Sequence, residues 1–599
     1  MKRSLYVGFA VLAGAVAAHG QGFEQLRPVT PENAPPATLP AENIPFAEDD
    51  KIQIEYLNGI VILSSIDQFR PQGVSFLLGV SVHGVKFLET PEFEKAMLPY
   101  LGGATSKNTL RRLEHDIVMF CRKNDHTVVD VIVPDQIAAN GVVQILVIEG
   151  KVGKVTVAHQ GKHWFSDDFI RSQVRLKTGD SISERKLLED VNWLNQNPFR
   201  DVSIIFKQGR DLGQTDIELP VADRFPLRVY TGYEDTGSRI AGGVAVTNAT
   251  QANDGRLVYG FNWGNAFGLD HQFNYQFMAD TDFDFFWAHS ASYIIPLPWR
   301  HTLTFLGSYV DAKAPIKSPS QDAVSSQISF RYSIPLVSIE SYQQEVSLGF
   351  DFKNTDNVVK LSGAKIPPTS STEISQFVLG YTGLLPDRFG STTVGAELFI
   401  APGWIDSTQG YEDSRTFARN QYEYARFKAD RTTVLPFNFV WIIRGMGQVA
   451  SGNLLVSEQL GLGGYLTVRG YDEREANGDE GAFVSNELRT PACSLIGLAR
   501  GTGGGLFHRT EGGVPGVAGT RQEPGWDQFQ LLGFWDFGVT ENIELAPGEN
   551  AHDVLSSAGA GFRYTINRYL TMRFDYGWQL RDTGDPFRSR AHISVVASF

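Results

Sequence analysis

Residues 570–578 read LTMRFDYGW, a segment in which apolar or aromatic side chains occupy every second position. Successive side chains of an extended strand point to opposite faces, so one face carries Leu570, Met572, Phe574, Tyr576 and Trp578. The same alternation recurs between residues 226 and 599, for example at 257–263, 273–279, 303–309 and 346–352. This part of the chain is therefore predicted to consist of β-strands.

The alternation alone does not identify what covers the apolar face, because soluble sandwiches and barrels in lipid both alternate. Three features favour lipid. The strands are about ten residues long with aromatic residues near their ends, which suits a tilted crossing of the hydrocarbon layer. Short connections such as 296–300 alternate with longer ones such as 311–326. The chain ends within a strand on Phe599, and a terminal aromatic residue resembles the signal that outer-membrane assembly machinery reads.

Our count of strands between Leu227 and Phe599 is sixteen, an even number, as bacterial barrels require. The predicted fold class is mainly β. It comprises a sixteen-stranded antiparallel transmembrane β-barrel at residues 226–599, preceded by two α+β units.

The two α+β units share the order β-α-α-β-β and are about 70 residues long. In the first, residues 79–150, we predict strands at 81–88, 127–133 and 142–149 and helices at 93–101 and 107–124. In the second, residues 151–225, we predict strands at 154–159, 201–207 and 215–219 and helices at 167–174 and 183–196. Ser183 stands where a helix N-cap is expected.

The amino-terminal 78 residues divide into two parts. Residues 1–20 combine Lys2 and Arg3 with an apolar run at 5–18 and a small-residue cleavage site, which predicts a secretory signal peptide and export of the rest. Residues 21–78 are a proline-rich linker with an unassigned apolar segment at 52–63, which could be a strand or hairpin docked onto the first α+β unit. Beyond the signal no apolar run of about 18 residues occurs, which excludes a helical membrane protein.

Composition and motif content exclude several classes of function. The 53 Lys and Arg against 67 Asp and Glu give a formal charge of -14, so nucleic acid is not an expected partner. The two cysteines, Cys121 and Cys493, exclude a disulfide scaffold and a four-cysteine zinc site. No H-E-x-x-H, G-x-S-x-G or P-loop motif occurs. We therefore predict no enzyme, no cofactor and no metal site, and interpret the histidines as ordinary structural or surface residues.

The most specific stretch reads GGYLTVRGY at 463–471, followed by GDEG at 478–481 and SNELR at 485–489. A second stretch reads FWDFG at 534–538. This set resembles the two-partner secretion transporters (TpsB), the haemolysin secretion/activation family of ShlB/FhaC/HecB type, within the POTRA-barrel superfamily. NPFRDV at 197–202 and GQTD at 213–216 are similar to the second POTRA domain of that family.

The resemblance implies a location and a function. The two α+β units would be periplasmic POTRA domains, the second of ShlB type, and the barrel would lie in the bacterial outer membrane. The protein would export a large partner, an adhesin- or haemolysin-like exoprotein, from periplasm to cell surface. Its implied partners are that exoprotein, outer-membrane lipid and, during biogenesis, the barrel assembly machinery.

The resemblance also implies the site residues. They are a conformational loop motif, Val468, Arg469, Gly470 and Tyr471, and an inner-wall motif, Phe534, Asp536 and Gly538. The fork of the Arg469 guanidinium would be accepted by Asp536, because a charge folded into a barrel needs a carboxylate partner. The alternative is a surface loop whose Arg469 faces water. Even a buried pair would brace the loop rather than perform chemistry.

Several alternatives stay open on the sequence. The chain could be a factor that inserts other barrel proteins, or a passive porin-like channel. The POTRA units could capture an extended polypeptide by strand addition or serve as spacers. The glycine-rich segment 491–526 stands where strand parity predicts a short periplasmic turn, so it is either an insertion or a sign of wrong parity. The proline-rich mature amino terminus shows no clear amphipathic helix, which leaves a pore-plugging helix in doubt.

Overall fold

The computed structural model of the protein has two compact units. One lies within residues 36–224, and the other combines residues 225–599 with parts of 1–35. The described residues are 8–9, 27–31, 50–126, 128–138, 140–211, 213–236, 255–284, 286–313, 320–339, 341–361, 364–404, 408–499, 517–518, 527–545, 549–581 and 588–599. Apart from residues 8–9, the predicted signal peptide lies outside them.

The first sheet has four strands and two helices on one face. Its elements are β1 (Ile52–Ile54), β2 (Gly59–Leu63), β3 (Gly79–His83), α1 (Pro91–Met97), β4 (Thr105–Ser106), α2 (Lys107–Lys123), β5 (Val129–Ile132) and β6 (Val142–Glu149). The order is β3-β2-β6-β5, with β2 parallel to both neighbours, while β1 pairs separately with β4. Leu113, Ile117 and Cys121 of α2 form the buried core with β2 and β6.

The apolar segment at 52–63 belongs to this first sheet. Every residue of β2 is buried, and β2 lies between β3 and β6. The predicted boundary at residue 79 therefore falls inside the folded unit, because four consecutive apolar side chains, 60–63, can be removed from water only within the sheet.

The second sheet follows the predicted order, except that the predicted strand 201–207 is divided into two short strands, Arg200–Val202 and Ile205–Gln208. Its elements are β7 (Lys151–His159), α3 (Asp167–Ser172), α4 (Glu184–Leu194), β8 (Arg200–Val202), β9 (Ile205–Gln208) and β10 (Gln214–Asp223). The order is β9-β10-β7, with β8 also paired to β10, and β7 runs parallel to β10. Ser183 caps α4 by accepting the Lys186 N–H at 3.3 Å, and its hydroxyl donates to Asp125 beside the first sheet at 2.7 Å.

Sixteen strands form a closed barrel, which confirms the predicted fold class. They are β11 (Leu227–Asp235), β12 (Arg256–Ala266), β13 (His271–Asp280), β14 (Phe286–Pro296), β15 (Thr302–Lys313), β16 (Ser320–Pro335), β17 (Gln343–Leu361), β18 (Ala364–Asp387), β19 (Gly390–Pro402), β20 (Gln421–Val434), β21 (Val440–Ala450), β22 (Glu480–Arg489), β23 (Gln528–Glu541), β24 (His552–Ile566), β25 (Leu570–Gln579) and β26 (Ser589–Ser598). All are antiparallel to their neighbours, and β11 pairs with β26.

The barrel has the reverse polarity of a soluble sandwich. Large apolar side chains are exposed on its outside, among them Phe305, Phe330, Phe377, Phe427, Trp441 and Trp535. Polar side chains are buried on its inside, among them Asn262, Gln276, Arg331, Lys353, Gln376 and Arg426. An apolar band outside and a polar lumen are the arrangement of a barrel in lipid. No helix in the described part of the chain is long and apolar enough to cross a bilayer.

Connections alternate between the two ends of the barrel because the strands alternate in direction. The short turns 267–270, 297–301, 388–389, 435–439 and 567–569 lie at the end where β11 begins. The connection 490–527 falls at the same end, so the strand parity is right and this segment is an insertion. Its described part includes α6 (Leu495–Ala499), but residues 500–516 and 519–526 are outside the described ranges.

Candidate functional site: a loop bound inside the barrel

The connection between β21 and β22, residues 451–479, turns into the barrel and is called the inward loop below. Its base is a short antiparallel hairpin, Leu460–Leu462 with Ala476–Gly478, which presents the VRGY residues between its arms. Gly463 opens this segment with φ +107°, and a Cβ there would lie 2.0 Å from the backbone oxygen of Asp472. Only glycine fits this turn.

Arg469 of the inward loop is bound by Asp536 of β23. Its Nε donates to Oδ2 of Asp536 at 2.8 Å and its Nη2 donates to Oδ1 at 3.0 Å. The backbone N–H of Arg469 also donates to Oδ2, at 3.1 Å. Arg469 is 4% exposed and Asp536 is fully buried. This is the bidentate arrangement that the planar guanidinium favours and that an ammonium group cannot reproduce.

Two further carboxylates face Arg469 from the barrel wall. Nη1 donates to Glu487 of β22 at 2.6 Å and approaches Asp575 of β25 at 3.4 Å. Arg563 bridges the same two carboxylates, at 3.2 Å to Glu487 and 3.0 Å to Asp575, and Arg489 donates to Glu487 at 2.6 Å. The three guanidinium groups balance the three carboxylates, which is how buried charges are accommodated.

The other members of the inner-wall motif shape the surface under the loop. The ring of Phe534 lies 3.6 Å from the guanidinium carbon of Arg469, a cation–π contact. At Gly538 a Cβ would lie 2.7 Å from a methyl group of Leu462, so glycine leaves room for the hairpin. Trp535 between them is exposed on the outer surface. The spacing F-x-D-x-G follows from the two-residue period of the strand.

The remaining VRGY residues fix the loop to the last strands. Gly470 has φ +90°, its N–H donates to Nε2 of His592 at 2.9 Å, and its backbone is packed directly against Gly577. The Tyr471 hydroxyl lies between the carbonyl oxygens of Ser556 and Arg581, at 2.8 and 2.9 Å. Val468 and Tyr471 are fully buried beside the hairpin.

A second cluster binds the first part of the inward loop to another set of strands. Glu458 accepts from Lys353 of β17 at 2.7 Å, from Gln376 of β18 at 3.1 Å and from Tyr424 of β20 at 2.7 Å. Glu458 is fully buried, and its backbone oxygen accepts from Arg426 at 3.1 Å. No motif in the sequence marks this cluster. Its only signal is polar side chains at inward positions of strands that are apolar on the other face.

Asp479 of the GDEG motif joins three loops at the barrel end opposite the short turns. Arg415, which follows α5 (Thr408–Ser414), donates to both Asp479 oxygens at 2.5 and 3.2 Å. The same guanidinium reaches Asn542 at 3.0 Å and Glu549 at 3.1 Å in the connection 542–551. The inward loop is therefore bound to the rest of the barrel by Glu458 at its start, by Arg469 at its tip and by Asp479 at its end.

Val29, in the described segment 27–31, contacts inward side chains of the barrel. The Val29 N–H donates to Tyr230 and to Gln276, at 3.1 Å in both cases, and its carbonyl accepts from Asn262 at 2.9 Å. These are backbone contacts from Val29 to inward side chains of β11, β12 and β13. Residues 10–26 and 32–49, where a plug helix was in doubt, lie outside the described ranges.

Phe599, the predicted assembly signal, follows β26 directly. Its backbone exchanges hydrogen bonds of 3.1 and 2.9 Å with Val229 of β11, and its side chain is 79% exposed. The terminal aromatic residue thus lies at the contact that closes the barrel.

A closed barrel with a polar lumen, an inward loop and two preceding α+β units defines a protein of the outer-membrane POTRA-barrel class. The family model for the haemolysin secretion/activation protein ShlB/FhaC/HecB matches residues 213–503, which include VRGY. The heme/hemopexin transporter protein HuxB of Haemophilus influenzae strain 86-028NP is 21% identical over 408 residues, covering 67% of this chain and 69% of its own. The outer membrane transporter CdiB of Dickeya dadantii is 21% identical over 424 residues, with coverages of 69% and 73%.

Solved structures share the fold over nearly the whole chain. CdiB from Escherichia coli superposes with a TM-score of 0.66 at 16% identity, covering 95% of this chain and 94% of its own. CdiB from Acinetobacter baumannii gives 0.56 at 15% identity, covering 97% and 96%. In sequence and fold the chain resembles the ShlB/FhaC/HecB family of two-partner secretion transporters. It is an outer-membrane transporter with periplasmic POTRA domains, and it exports a partner protein.

Proposed function

We propose that this chain exports one large adhesin- or haemolysin-like exoprotein, and that the inward loop controls passage through the lumen. The observation that carries the proposal is the position of that loop between two buried ion clusters. Glu458 binds it to β17, β18 and β20, and Arg469 binds it to β22, β23 and β25. A polypeptide crossing the barrel must displace the loop or pass beside it.

The lumen suits an unfolded polypeptide. Its wall is polar, and the backbone of Val29 shows that inward side chains bind peptide N–H and C=O groups. Recognition of the backbone is largely independent of sequence. No enzymatic step and no cofactor is part of the proposal, and folding of the exported protein outside the cell gives the direction.

Capture of the partner is assigned to the POTRA domains. β7 is an edge strand of the second sheet, and β3 and β5 are the edges of the first. An edge strand offers unpaired backbone groups to an extended segment, which can add to the sheet. Lipid surrounds the barrel, and the assembly machinery that inserts it completes the proposed set of partners.

The test is secretion by cells that lack this gene. Proteomes of culture supernatant and cell surface are compared with wild type, and the deletion is then complemented with wild type, Arg469→Ala or Arg388→Ala. Arg388 is the matched control, because it lies in the short turn 388–389 with an exposed side chain. We expect one large protein to disappear, and wild type and Arg388→Ala to restore it far better than Arg469→Ala.

Other outcomes have defined meanings. A joint decrease of many barrel proteins would replace the proposal with an assembly factor. An unchanged set of secreted proteins would favour the passive, porin-like channel as the function. Full restoration by Arg469→Ala would retain the transporter and reject the role of the loop.

A further inference from the structure

Two histidines and two carboxylates meet at one edge of the second POTRA sheet. His159 is the last residue of β7 and Asp223 the last of β10, and these parallel strands end side by side. His163 lies in the connection to α3, and Asp167 is the first residue of that helix. One ligand atom each from His159, His163 and Asp167 lies within 4.8 Å of the other two.

The geometry around His159 is that of an oriented metal ligand. Its Nε2 lies 2.7 Å from Oδ1 of Asp167, and its ring centroid lies 4.6 Å from that of His163. Its other nitrogen, Nδ1, faces Oδ2 of Asp223 at 3.3 Å. With a cation on Nε2, the ring proton would lie on Nδ1 and face the Asp223 carboxylate, and metal-binding histidines commonly have such a partner.

The carboxylate behind His159 is itself held in place. Oδ2 of Asp223 accepts the backbone N–H groups of Trp164 and Phe165 at 2.8 and 3.3 Å. The side chain of Asp223 is fully buried and that of His159 is 9% exposed. Oδ1 of Asp223 and Nδ1 of His159 make no hydrogen bond within the described part of the chain. Burying these polar groups costs free energy that a bound cation on His159 would offset.

We propose that this edge binds a Zn²⁺ ion through Nε2 of His159, a ring nitrogen of His163 and a carboxylate oxygen of Asp167. Two imidazoles and one carboxylate are a donor set typical of zinc, which leaves the fourth tetrahedral position for water or another ligand. Ligand atoms about 2.0–2.2 Å from the ion fit the present spacing after small rotations. His163 is exposed, so its ring is free to make them. A plain His159–Asp167 ion pair is the competing interpretation.

The ion would join β7, the connection 160–166 and α3, which are otherwise held by separate contacts. In the sequence, three residues separate Asp223, which orients His159, from Leu227 at the start of β11. The metal would therefore stabilise the folded form of the second POTRA domain.

Metal binding to the full-length protein in detergent tests the site, with an affinity tag that contains no histidine. Equilibrium dialysis gives the stoichiometry and affinity for Zn²⁺, and visible absorption of the Co²⁺ form reports tetrahedral coordination. We expect one equivalent bound by wild type and at least tenfold weaker binding by His163→Ala and Asp167→Asn. His83→Ala is the matched control, an exposed histidine of the first sheet, and should bind as wild type does.

Asp223→Asn retains all three ligands and should still weaken binding about 10- to 100-fold, because only the orientation of His159 is lost. Thermal unfolding in the presence of chelator shows whether each variant is folded. Because His163 is exposed, His163→Ala is the variant expected to disturb folding least. Absence of a tetrahedral Co²⁺ spectrum in wild type, or equal Zn²⁺ affinity in His163→Ala, would overturn the proposal.

Discussion

At the residue scale, the central feature is the number of buried groups that have the Arg469 guanidinium as a partner. Arg469 contacts Asp536, Glu487 and Asp575, and it stacks on Phe534. Removal of one partner leaves the other charge buried and unpaired, which destabilises a protein much more than replacement of the whole pair by apolar residues. The loop is therefore expected to respond strongly to small changes at this position.

Arg469→Lys should reduce secretion several-fold although it retains the positive charge. An ammonium group cannot donate to both oxygens of Asp536 and to Glu487 in the same plane. Arg469→Ala should weaken the attachment of the inward loop by about 3–5 kcal/mol. Limited proteolysis of purified protein in detergent measures this as cleavage within 451–479. Equal protease resistance of Arg469→Ala and Arg388→Ala would contradict the prediction.

Gly577→Ala should displace the loop without changing any charge. A Cβ at this position would lie 2.7 Å from the Cα of Gly470, which neither backbone can accommodate in place. We expect lower secretion and faster cleavage of the loop. Gly307→Ala is the control, because the nearest atom to its added Cβ is 4.0 Å away. If the two alanine variants behave alike, the close backbone contact does not hold the loop.

At the element scale, the helix α2 shows how burial controls reactivity. Leu113, Ile117 and Cys121 recur every fourth residue and form its fully buried face. Burial raises the pKa of the Cys121 thiol to about 12, so almost no reactive thiolate is present near neutral pH. Cys493 lies in the connection between β22 and β23 and is partly exposed.

A maleimide reagent near neutral pH should therefore modify one thiol in the native protein and two after unfolding. Mass spectrometry identifies the modified residue, which we expect to be Cys493. The variant Cys493→Ser should remain unmodified until denaturant is added. Rapid native labelling of that variant would mean that α2 does not bury Cys121.

The elements also show what a sequence can predict. Strict alternation predicts the strands of the barrel, and N-cap chemistry at Ser183 predicts the start of α4, which begins at Glu184. The pairing of Arg469 with Asp536 was implied only by family resemblance. The Glu458 cluster and the contact of Asp575 with Arg469 depend on how distant strands are aligned in the barrel. A single sequence does not specify that pairing register. The edge formed by His159 and Asp223 was missed for the same reason, since parallel strands 64 positions apart bring them together.

At the scale of the whole molecule, the polarity of the barrel predicts which tryptophans contact lipid. Trp441, Trp535 and Trp578 are 40%, 45% and 51% exposed on strands β21, β23 and β25. In bilayers of brominated lipid their fluorescence should be quenched. Trp535→Phe should decrease the quenchable part of the emission, whereas Trp193→Phe in α4 should decrease only the remainder. Equal effects of the two substitutions would contradict the assigned outer face.

The pairing of β11 with β26 has a kinetic consequence. Tyr230 and Ser598 are register partners although about 370 residues separate them, and contacts of such sequence separation form slowly. Until β26 is in place, the free edge of β11 and the free edge of the last strand formed both expose unpaired backbone groups, which favour aggregation. The wall therefore seals in a single late event, and a chain interrupted shortly before it would be an open sheet rather than a narrower pore.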